Sequence, residues 1–337
     1  MGIKISEVIP KKEISFESLK DKKVAVDSSQ MLYQFLSSIR QKDGTPLTNA
    51  QGKITSHLVG LSSRIPNLMI KGLKLAFVFD GKPPELKFKE KEAREQRKQI
   101  AEEKLKQARD TEDLESVQKY SKQVIRVGKD IVKDSKELLQ AFGLPVIQAP
   151  SEAEAQAAFM AEKKDVDYVA SNDYDAIVYG APKLLLSLTL STRKKLPSGL
   201  YVSVKPELIE LKQVLKDLEI NRDQFLVLAI LIGTDYNKGG MKGIGPKNAL
   251  RLVKKYKNFD LLFNELNPEF NWKEIYAVFK SMPIMKNYQL KWKSPDGEAI
   301  KKILVDKNDF SEDRVNKILN NLAEYTKHKQ QKKLGDF

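Results

Sequence analysis

The stretch YVASNDYDAIVYG (residues 168–180) places two carboxylates just after an apolar, β-branched run. Such a run is typical of a buried strand, so Asp173 and Asp175 follow the point where the chain leaves that strand. Either the aspartates stabilise a turn, or a positive group lies between them. Side chains two residues apart in an extended chain point the same way, so both carboxylates would reach a single cation.

Three further segments have the composition of buried strands: KVAVD (23–27), KLAFVFDG (74–81) and LLLSL (184–188). Helical patterns lie between the strands, in SSQMLYQFLSSIRQ (28–41) and SEAEAQAAFMAEKK (151–164). Strands that alternate with helices imply right-handed crossovers. The sequence therefore predicts an α/β fold with a mostly parallel central sheet flanked by helices.

Other carboxylates also follow the predicted strands, at the sheet edge where open α/β folds build their active sites. Taken singly, each has a structural explanation: Asp27 is a preferred helix N-cap, and Ser151 with Glu154 fits a capping box. Gathered at one edge, however, the aspartates would repel each other unless a cation lay among them. The candidate metal ligands are Asp27, Asp80, Glu152, Glu154, Asp173, Asp175 and Asp235.

The composition restricts the chemistry. The chain of 337 residues has no cysteine, which excludes disulfides, zinc ribbons and thiol nucleophiles, and its two histidines, His57 and His328, are far apart. Any metal would be a hard, oxygen-ligated ion. With 59 basic against 45 acidic residues, the net charge of +14 favours a polyanionic partner, most commonly nucleic acid. Two-metal hydrolysis of a phosphodiester, with ions about 3.5–4 Å apart, accounts for both features.

Two basic regions indicate where such a partner would bind. Lysines and an arginine recur every three or four residues from Lys119 to Lys136, and apolar residues keep the same rhythm two positions earlier. This spacing predicts one helix with a basic face opposite an apolar face. Between two helical patterns, residues 231–257 contain a glycine-rich turn whose Gly243 and Gly245 precede a basic helix and can hold a phosphate.

The upstream segment from Glu85 to Asp110 has 16 charged residues of mixed sign and, from its composition, is an exposed, salt-bridged helix.

The longest apolar run, FLVLAILI (225–232), is too short to cross a bilayer, and no signal peptide is visible. We therefore expect an intracellular protein with no membrane partner.

Six motifs in order and spacing together resemble a flap endonuclease of the structure-specific 5′-nuclease superfamily, close to its archaeal and eukaryotic forms. They are MGI, VAVDSSQMLYQFL, FVFDGKPPELK, APSEAEAQAA, SNDYDAIVYG and LIGTDYNKGGMKGIGPKNAL. The resemblance covers essentially the whole chain.

The resemblance implies a PIN-like nuclease core over residues 1–325. This core would carry a helical arch at about 82–135 and a helix-two-turn-helix element at about 225–265. It also implies two magnesium ions, for which manganese can substitute. Asp27, Asp80, Glu152 and Glu154 would surround one ion, and Asp173, Asp175 and Asp235 the other.

The resemblance further implies that Lys87 and Arg94 contact the scissile phosphate and that Tyr33 stacks on a base; from its own spacing, Tyr33 would be a core residue. Backbone carbonyls of the helix-two-turn-helix would bind potassium. The implied DNA contacts are Arg40, Lys119, Lys122, Arg126, Lys129, Lys133, Gly243, Gly245, Lys247 and Arg251.

The tail, residues 326–337, resembles a sliding-clamp-binding peptide of the kind that docks on proliferating cell nuclear antigen, with Gln331, Leu334 and Phe337 at the pattern's spacing. It departs from that pattern because one aromatic stands where two are usual. Asn172 is a second departure, since relatives often carry Glu or Gln there. The implied protein is a monomer, located in the cytoplasm or nucleoid if archaeal and in the nucleus if eukaryotic.

The implied activity is magnesium-dependent 5′-flap endonuclease and 5′–3′ exonuclease cleavage of branched DNA, as in Okazaki-fragment processing and repair, leaving a 5′-phosphate. Three alternatives remain: a junction-resolving or excision-repair nuclease of the same superfamily, a catalytically idle DNA-binding and clamp-docking module, and a nuclease acting on RNA flaps.

Overall fold

The computed structural model describes residues 5–189, 193–195 and 200–335. Its central feature is a seven-stranded sheet with the order β1-β9-β6-β5-β2-β3-β4. The five strands from β6 to β4 pair in parallel, and β9 and β1 continue the sheet in antiparallel fashion. The strands are β1 (Lys12–Glu13), β2 (Lys23–Asp27), β3 (Lys74–Phe79), β4 (Val146–Gln148), β5 (Tyr168–Ala170), β6 (Lys183–Leu186), β7 (Arg193–Lys195), β8 (Tyr201–Ser203) and β9 (Glu207–Glu210); β7 and β8 form a separate pair.

Helices cover both faces of the sheet. They are α1 (Ser28–Ser38), α2 (Ser56–Ile70), α3 (Phe88–Asp110), α4 (Leu114–Gln123), α5 (Lys129–Ala141), α6 (Ala153–Glu162), α7 (Asp175–Val178), α8 (Leu211–Leu218), α9 (Arg222–Ile232), α10 (Pro246–Lys255), α11 (Phe259–Leu266), α12 (Trp272–Ser281), α13 (Gly297–Lys301) and α14 (Glu312–Gly335). The predicted α/β class with a central, mostly parallel sheet is confirmed.

Strand β2 shows why the sheet is buried on both sides. Val24, Ala25 and Val26 are all almost fully buried, but their side chains enter different cores. Ala25 packs in the core that contains α6 and α9, whereas Val24 and Val26 pack in the core that contains α1, α2 and α5. Continuous apolar runs of this kind are expected of parallel strands with helices on each face.

The four predicted strands are all present in the sheet, as β2, β3, β5 and β6. The sequence patterns did not identify β4 and β9. These strands have three and four residues and are not continuous apolar runs. The run from Phe225 to Ile232 lies in α9, where all of its residues but Ile232 are buried. Within the described residues, no helix has the length and hydropathy needed to span a bilayer.

The prediction of one continuous helix through the basic stripe is wrong. Helix α4 ends at Gln123, and α5 begins only at Lys129, after Gly128 as its N-cap. Between these helices, Ile125 is buried in the core that contains α1, α2 and α5. Lys119 and Lys122 therefore lie on α4, Arg126 lies in the link, and Lys129, Lys133 and Lys136 lie on α5.

Helices α3 and α4 form a hairpin with an apolar cluster of its own. Leu105 and Ala108 of α3 pack against Val117 of α4, with Tyr120 and Val124 at the margin. At the far end of this hairpin, the Gln118 side chain donates a hydrogen bond to the carbonyl of Lys42 at 3.2 Å. The hairpin thus contacts the loop that follows α1.

The exit from β3 depends on a close backbone contact at Gly81. Its N–H donates to the carbonyl of Ser151 at 2.6 Å, and an added Cβ would lie 2.3 Å from the carbonyl oxygen of Ala149. Backbone atoms cannot rotate away as a side chain can, so only glycine fits. This contact places the residue before it, Asp80, against the start of α6.

We predict that Gly81→Ala destabilises the protein by about 1–3 kcal/mol, because the loop at 149–151 must move to accept the methyl group. The free energy of unfolding is measured in urea by circular dichroism. Gly297→Ala is the control, since its Cβ would meet only Leu319 at an ordinary 3.5 Å. Equal stability of the Gly81 variant and the control would contradict the packing argument.

Candidate active site

The carboxyl ends of three adjacent parallel strands meet at one edge of the sheet. Asp27 is the last residue of β2, Asp80 follows β3, and Asp173 lies three residues beyond β5. Because β5, β2 and β3 are neighbours in the sheet, these side chains are brought to one place. Around them lie Glu152 and Glu154 at the start of α6, Asp175 at the start of α7 and Asp235 in the turn after α9.

Hydrogen bonds connect these carboxylates to the surrounding backbone. Asp80 Oδ1 accepts from the N–H of Ala153 at 2.7 Å and so caps α6 from another element. Asp27 caps α1, accepting from the N–H of Gln30 at 3.2 Å. The structural explanation for Asp27 is therefore confirmed, and a cap and a ligand are compatible roles because a carboxylate has two oxygens.

The predicted capping box at Ser151 and Glu154 is wrong. The N-cap of α6 is Glu152, which makes no side-chain cap. Ser151 Oγ instead donates to the carbonyl of Lys82 at 2.8 Å. Since Asp80 supplies the cap, the Glu154 side chain is left to face the carboxylate cluster.

The sequence-based geometry at Asp173 and Asp175 is also wrong. The chain is not extended there: Tyr174 has φ −85° and ψ −4°, and Asp175 begins the short helix α7. Both carboxylates are nevertheless directed toward the other acidic side chains. Burial raises the pKa of both, and repulsion from Asp235 adds to this effect. Asp175 Oδ1 is buried with no hydrogen-bond partner among the described residues.

Two basic side chains from the base of the α3 helix form ion pairs with this cluster. Lys87 Nζ lies 2.5 Å from Glu152 Oε2 and 3.3 Å from Asp235 Oδ2. Arg94 Nη2 lies 3.1 Å from Asp235 Oδ1. Burial would lower the pKa of Lys87, but Glu152, together with Tyr236 and Asp235, raises it above its ordinary value. Lys87 therefore carries a positive charge within the cluster.

Burial and mutual repulsion raise the pKa of several of the acidic groups. The pKa of Asp27 rises to about 7, because the side chain is buried and Asp80 is close. The pKa values of Glu154 and Asp175 are well above the ordinary range, first because of burial and then because of neighbouring carboxylates. Burial also raises the pKa of Glu152, although Lys87 opposes it.

The donor set is all oxygen, as hard divalent ions require. Buried carboxylates with raised pKa values and an unpartnered oxygen on Asp175 fit a group that brings positive charge. Across the part of the chain that is described, however, no three such side chains are arranged to hold an ion as they stand. Lys87 and Arg94 bind the carboxylate oxygens instead.

Tyr33 lies on the exposed side of α1. Its side chain is 47% exposed, so the interpretation as a core residue is wrong.

Arg40 bonds to the protein's own backbone, donating from Nε to the carbonyl of Leu36 at 2.9 Å and from Nη1 to that of Gly44 at 2.6 Å. It therefore supports the loop after α1 directly.

The glycine-rich turn leads into α10, whose N-cap Gly245 offers no side-chain cap to the helix. Gly243 has a positive φ of 79°, and Lys247 and Arg251 lie on the helix that follows.

Gln331 and Leu334 lie in α14, but the structure does not describe their side chains, and Phe337 lies outside the described residues.

Sequence reasoning missed Glu90, a carboxylate that holds the base of α3 to the glycine-rich turn. It accepts hydrogen bonds from Arg94 Nε at 2.9 Å, Arg97 Nη2 at 3.0 Å and Lys238 Nζ at 2.9 Å. Although burial opposes it, these three cations lower the pKa of Glu90 to about 2. The four-residue spacing to Arg94 is readable in the sequence, whereas the contact to Lys238 is not.

Comparison with known proteins agrees with this geometry. The XPG N-terminal domain model matches residues 1–101, and the XPG I-region model matches residues 143–235. Flap endonuclease 1 of Thermococcus onnurineus is 50% identical over 338 residues, covering 100% of this chain and 99% of the relative; that of Pyrococcus furiosus is 47% identical over 341 residues, covering 100% and 99%.

Among solved structures, the flap endonuclease-1 of Methanococcus jannaschii has a TM-score of 0.78 at 44% identity, covering 97% of this chain and 100% of that one. The catalytic core of Rad2 in complex with a DNA substrate has a TM-score of 0.67 at 24% identity, covering 93% and 96%, and shares the fold. Fold and site thus define an XPG-type nuclease. Within that class, the chain belongs to the flap endonuclease family.

We predict that the metal-free protein loses stability as the pH rises. With the pKa of Asp27 raised to about 7, the folded state binds more protons than the unfolded chain. The stability should therefore fall between about pH 4, the ordinary carboxyl pKa, and pH 7. Calorimetric melting in chelator measures this fall. Asp27→Asn, which cannot ionise, should melt higher than the unaltered protein at pH 8 and similarly at pH 4; a pH-independent difference would contradict the prediction.

Proposed function

We propose that this protein is a structure-specific 5′-flap endonuclease and 5′–3′ exonuclease that requires two magnesium ions and leaves a 5′-phosphate. The observation that carries the proposal is the gathering of seven carboxylates at one sheet edge, with Lys87 and Arg94 reaching into them from the base of the helical hairpin. Full-length similarity to flap endonucleases supports the substrate class.

The acidic residues divide into two sets of candidate ligands. Asp27, Asp80, Glu152 and Glu154 would hold one ion, and Asp173, Asp175 and Asp235 the other. Ions held by these residues would supply a hydroxide nucleophile and stabilise the departing 3′-oxygen, and manganese would serve in place of magnesium. The negative edge that otherwise repels DNA becomes attractive to phosphate once its charge is balanced.

Lys87 and Arg94 are the side chains that we assign to the scissile phosphate. In the structure Lys87 forms an ion pair with Glu152, and Arg94 forms one with Asp235. Cations bound to those carboxylates would weaken these ion pairs, so the ammonium and guanidinium groups become available to phosphate oxygens. Glu90, which accepts a hydrogen bond from Arg94 Nε, would keep Arg94 directed toward the site.

Other surfaces suit the strands of a branched substrate. Tyr33 exposes its ring for stacking on a base. The open N-terminus of α10, with Lys247 and Arg251, suits the backbone of a duplex, and carbonyls of the preceding turn would bind potassium.

The hairpin of α3 and α4 and the following residues to 135 would form the arch over a 5′ single strand. Lys119, Lys122, Arg126, Lys129 and Lys133 add positive charge there, although Arg126 pairs with Glu95 at 2.6 Å and also with Glu102.

We also propose that residues 1–325 form the nuclease core of a monomer, and that the tail binds a sliding clamp of the proliferating cell nuclear antigen type. Gln331, Leu334 and Phe337 are the residues assigned to the clamp. Removing residues 330–337 should leave cleavage of a flap unchanged and abolish stimulation by the clamp.

A junction-resolving nuclease is the main rival within the superfamily. Human GEN1 in complex with Holliday junction DNA has a TM-score of 0.67 at 22% identity, which is a likeness of fold alone. An idle DNA-binding module would have no need for seven carboxylates at one sheet edge, of which Asp27, Glu152, Glu154 and Asp175 are buried. Rates on double flaps, bubbles, four-way junctions and RNA flaps, with product ends mapped in magnesium and in chelator, separate these functions.

We predict that Asp175→Asn lowers flap cleavage by at least roughly 100-fold, since even residues that support metal ligands cost 10–100-fold when changed. The side chain is buried and keeps its shape in the variant, so the fold should persist. Asp306→Asn, an exposed aspartate away from the cluster, is the control. Cleavage of a double-flap substrate is measured under single-turnover conditions, and near-normal cleavage by the Asp175 variant would contradict the assignment.

A further inference from the structure

A buried serine hydroxyl lies between two carboxylates that come from different elements. Ser171 is 5% exposed, and its Oγ lies 3.2 Å from Asp27 Oδ2 and 3.2 Å from Glu154 Oε1. The same oxygen accepts the backbone N–H of Asp173 at 3.1 Å. One hydroxyl therefore contacts the end of β2, the start of α6 and the turn after β5.

The hydrogen-bonding capacity of a hydroxyl matches this position. It has one proton and two acceptor lone pairs, so it can donate to one carboxylate at a time and accept the N–H of Asp173. Donation to either Asp27 or Glu154 places a neutral dipole between two negative groups. It also directs one oxygen of the accepting carboxylate toward Ser171, which restrains the direction of that carboxylate's other oxygen.

The next residue, Asn172, holds Ser171 in this place. Asn172 Oδ1 accepts the N–H of Ser187, just beyond β6, at 2.6 Å, and its Nδ2 donates to Gln34 Oε1 on α1 at 3.3 Å. Thr189 Oγ1 donates to the same Gln34 oxygen at 3.2 Å. The turn after β5 is thereby tied to the strand on one side and the helix on the other. The Asn172 amide thus acts as an acceptor toward Ser187 and as a donor toward Gln34.

We propose that Ser171 is a positioning residue: its hydroxyl sets the spacing of Asp27 and Glu154 and the entry of the chain into Asp173, and Asn172 anchors it. The inference rests on the proposed function, because it assigns Ser171 to the ion site. Groups that orient metal ligands typically contribute 10–100-fold to metal affinity when they are lost.

The test is calorimetric titration of magnesium into the DNA-free protein. Ser171→Ala should bind magnesium roughly 10-fold more weakly, whereas Ser171→Thr, which keeps the hydroxyl, should restore most of the affinity. Ser135→Ala is the matched control, because Ser135 is equally buried but donates to the carbonyl of Ile131 within α5. Asn172→Ala should weaken binding in the same direction and by less.

Kinetics provide a second readout. For Ser171→Ala, the magnesium concentration that gives the half-maximal cleavage rate should rise while KM for the flap substrate stays unchanged. Equal magnesium affinity in Ser171→Ala and Ser135→Ala would overturn the inference, as would a Thr variant as weak as the Ala variant. If Ser171→Ala does not fold, unchanged affinity in Asn172→Ala overturns it. Absence of magnesium binding to the unaltered protein would instead overturn the proposed ion site, and the inference with it.

Discussion

An ionised carboxylate can be buried only if a cation or several hydrogen bonds compensate the loss of water. At the edge formed by β5, β2 and β3, burial raises the pKa of Asp27 to about 7 and also raises those of Glu154 and Asp175 well above their ordinary values. Lys87 and Arg94 balance part of this charge. How the remaining negative charge of the carboxylates is neutralised determines what else the site must bind.

The fold serves that balance by bringing acidic and basic groups from distant parts of the chain to one edge. The parallel sheet aligns the ends of β2, β3 and β5, and the cap from Asp80 to the N–H of Ala153 fixes the start of α6 against them. Gly81 permits that approach. Glu90 joins α3 to the glycine-rich turn through Arg94 and Lys238, so the basic groups come from an element that is anchored at its base.

The sequence was sufficient for four central strands of the sheet and for the identity of the acidic cluster. Apolar β-branched runs identified β2, β3, β5 and β6, and the rule that parallel strands end at one edge grouped their aspartates. It was insufficient where local spacing was ambiguous. The periodicity from Lys119 to Lys136 continued across the break between α4 and α5. The link between these helices keeps the same three- and four-residue spacing of basic residues, so the spacing alone did not reveal that the helix ends there.

Contacts between distant residues were also beyond the sequence. Glu90 and Lys238 are 148 positions apart, and Ser171 is separated from Asp27 by 144, so no local pattern relates them. The turn at Tyr174 replaced the expected extended geometry because Asp175 begins a helix. The acidic side chains could therefore be named from the sequence, whereas their orientation depends on tertiary hydrogen bonds such as those of Ser171.

In the proposed enzyme, divalent ions complete the charge balance of this edge. Crystals of the protein grown with manganese, measured at a wavelength where manganese scatters anomalously, test this most directly. Two anomalous peaks are expected among the seven carboxylates, with Lys87 and Arg94 no longer paired to Glu152 and Asp235. A cluster that binds no ion at saturating manganese, with both ion pairs intact, would contradict it.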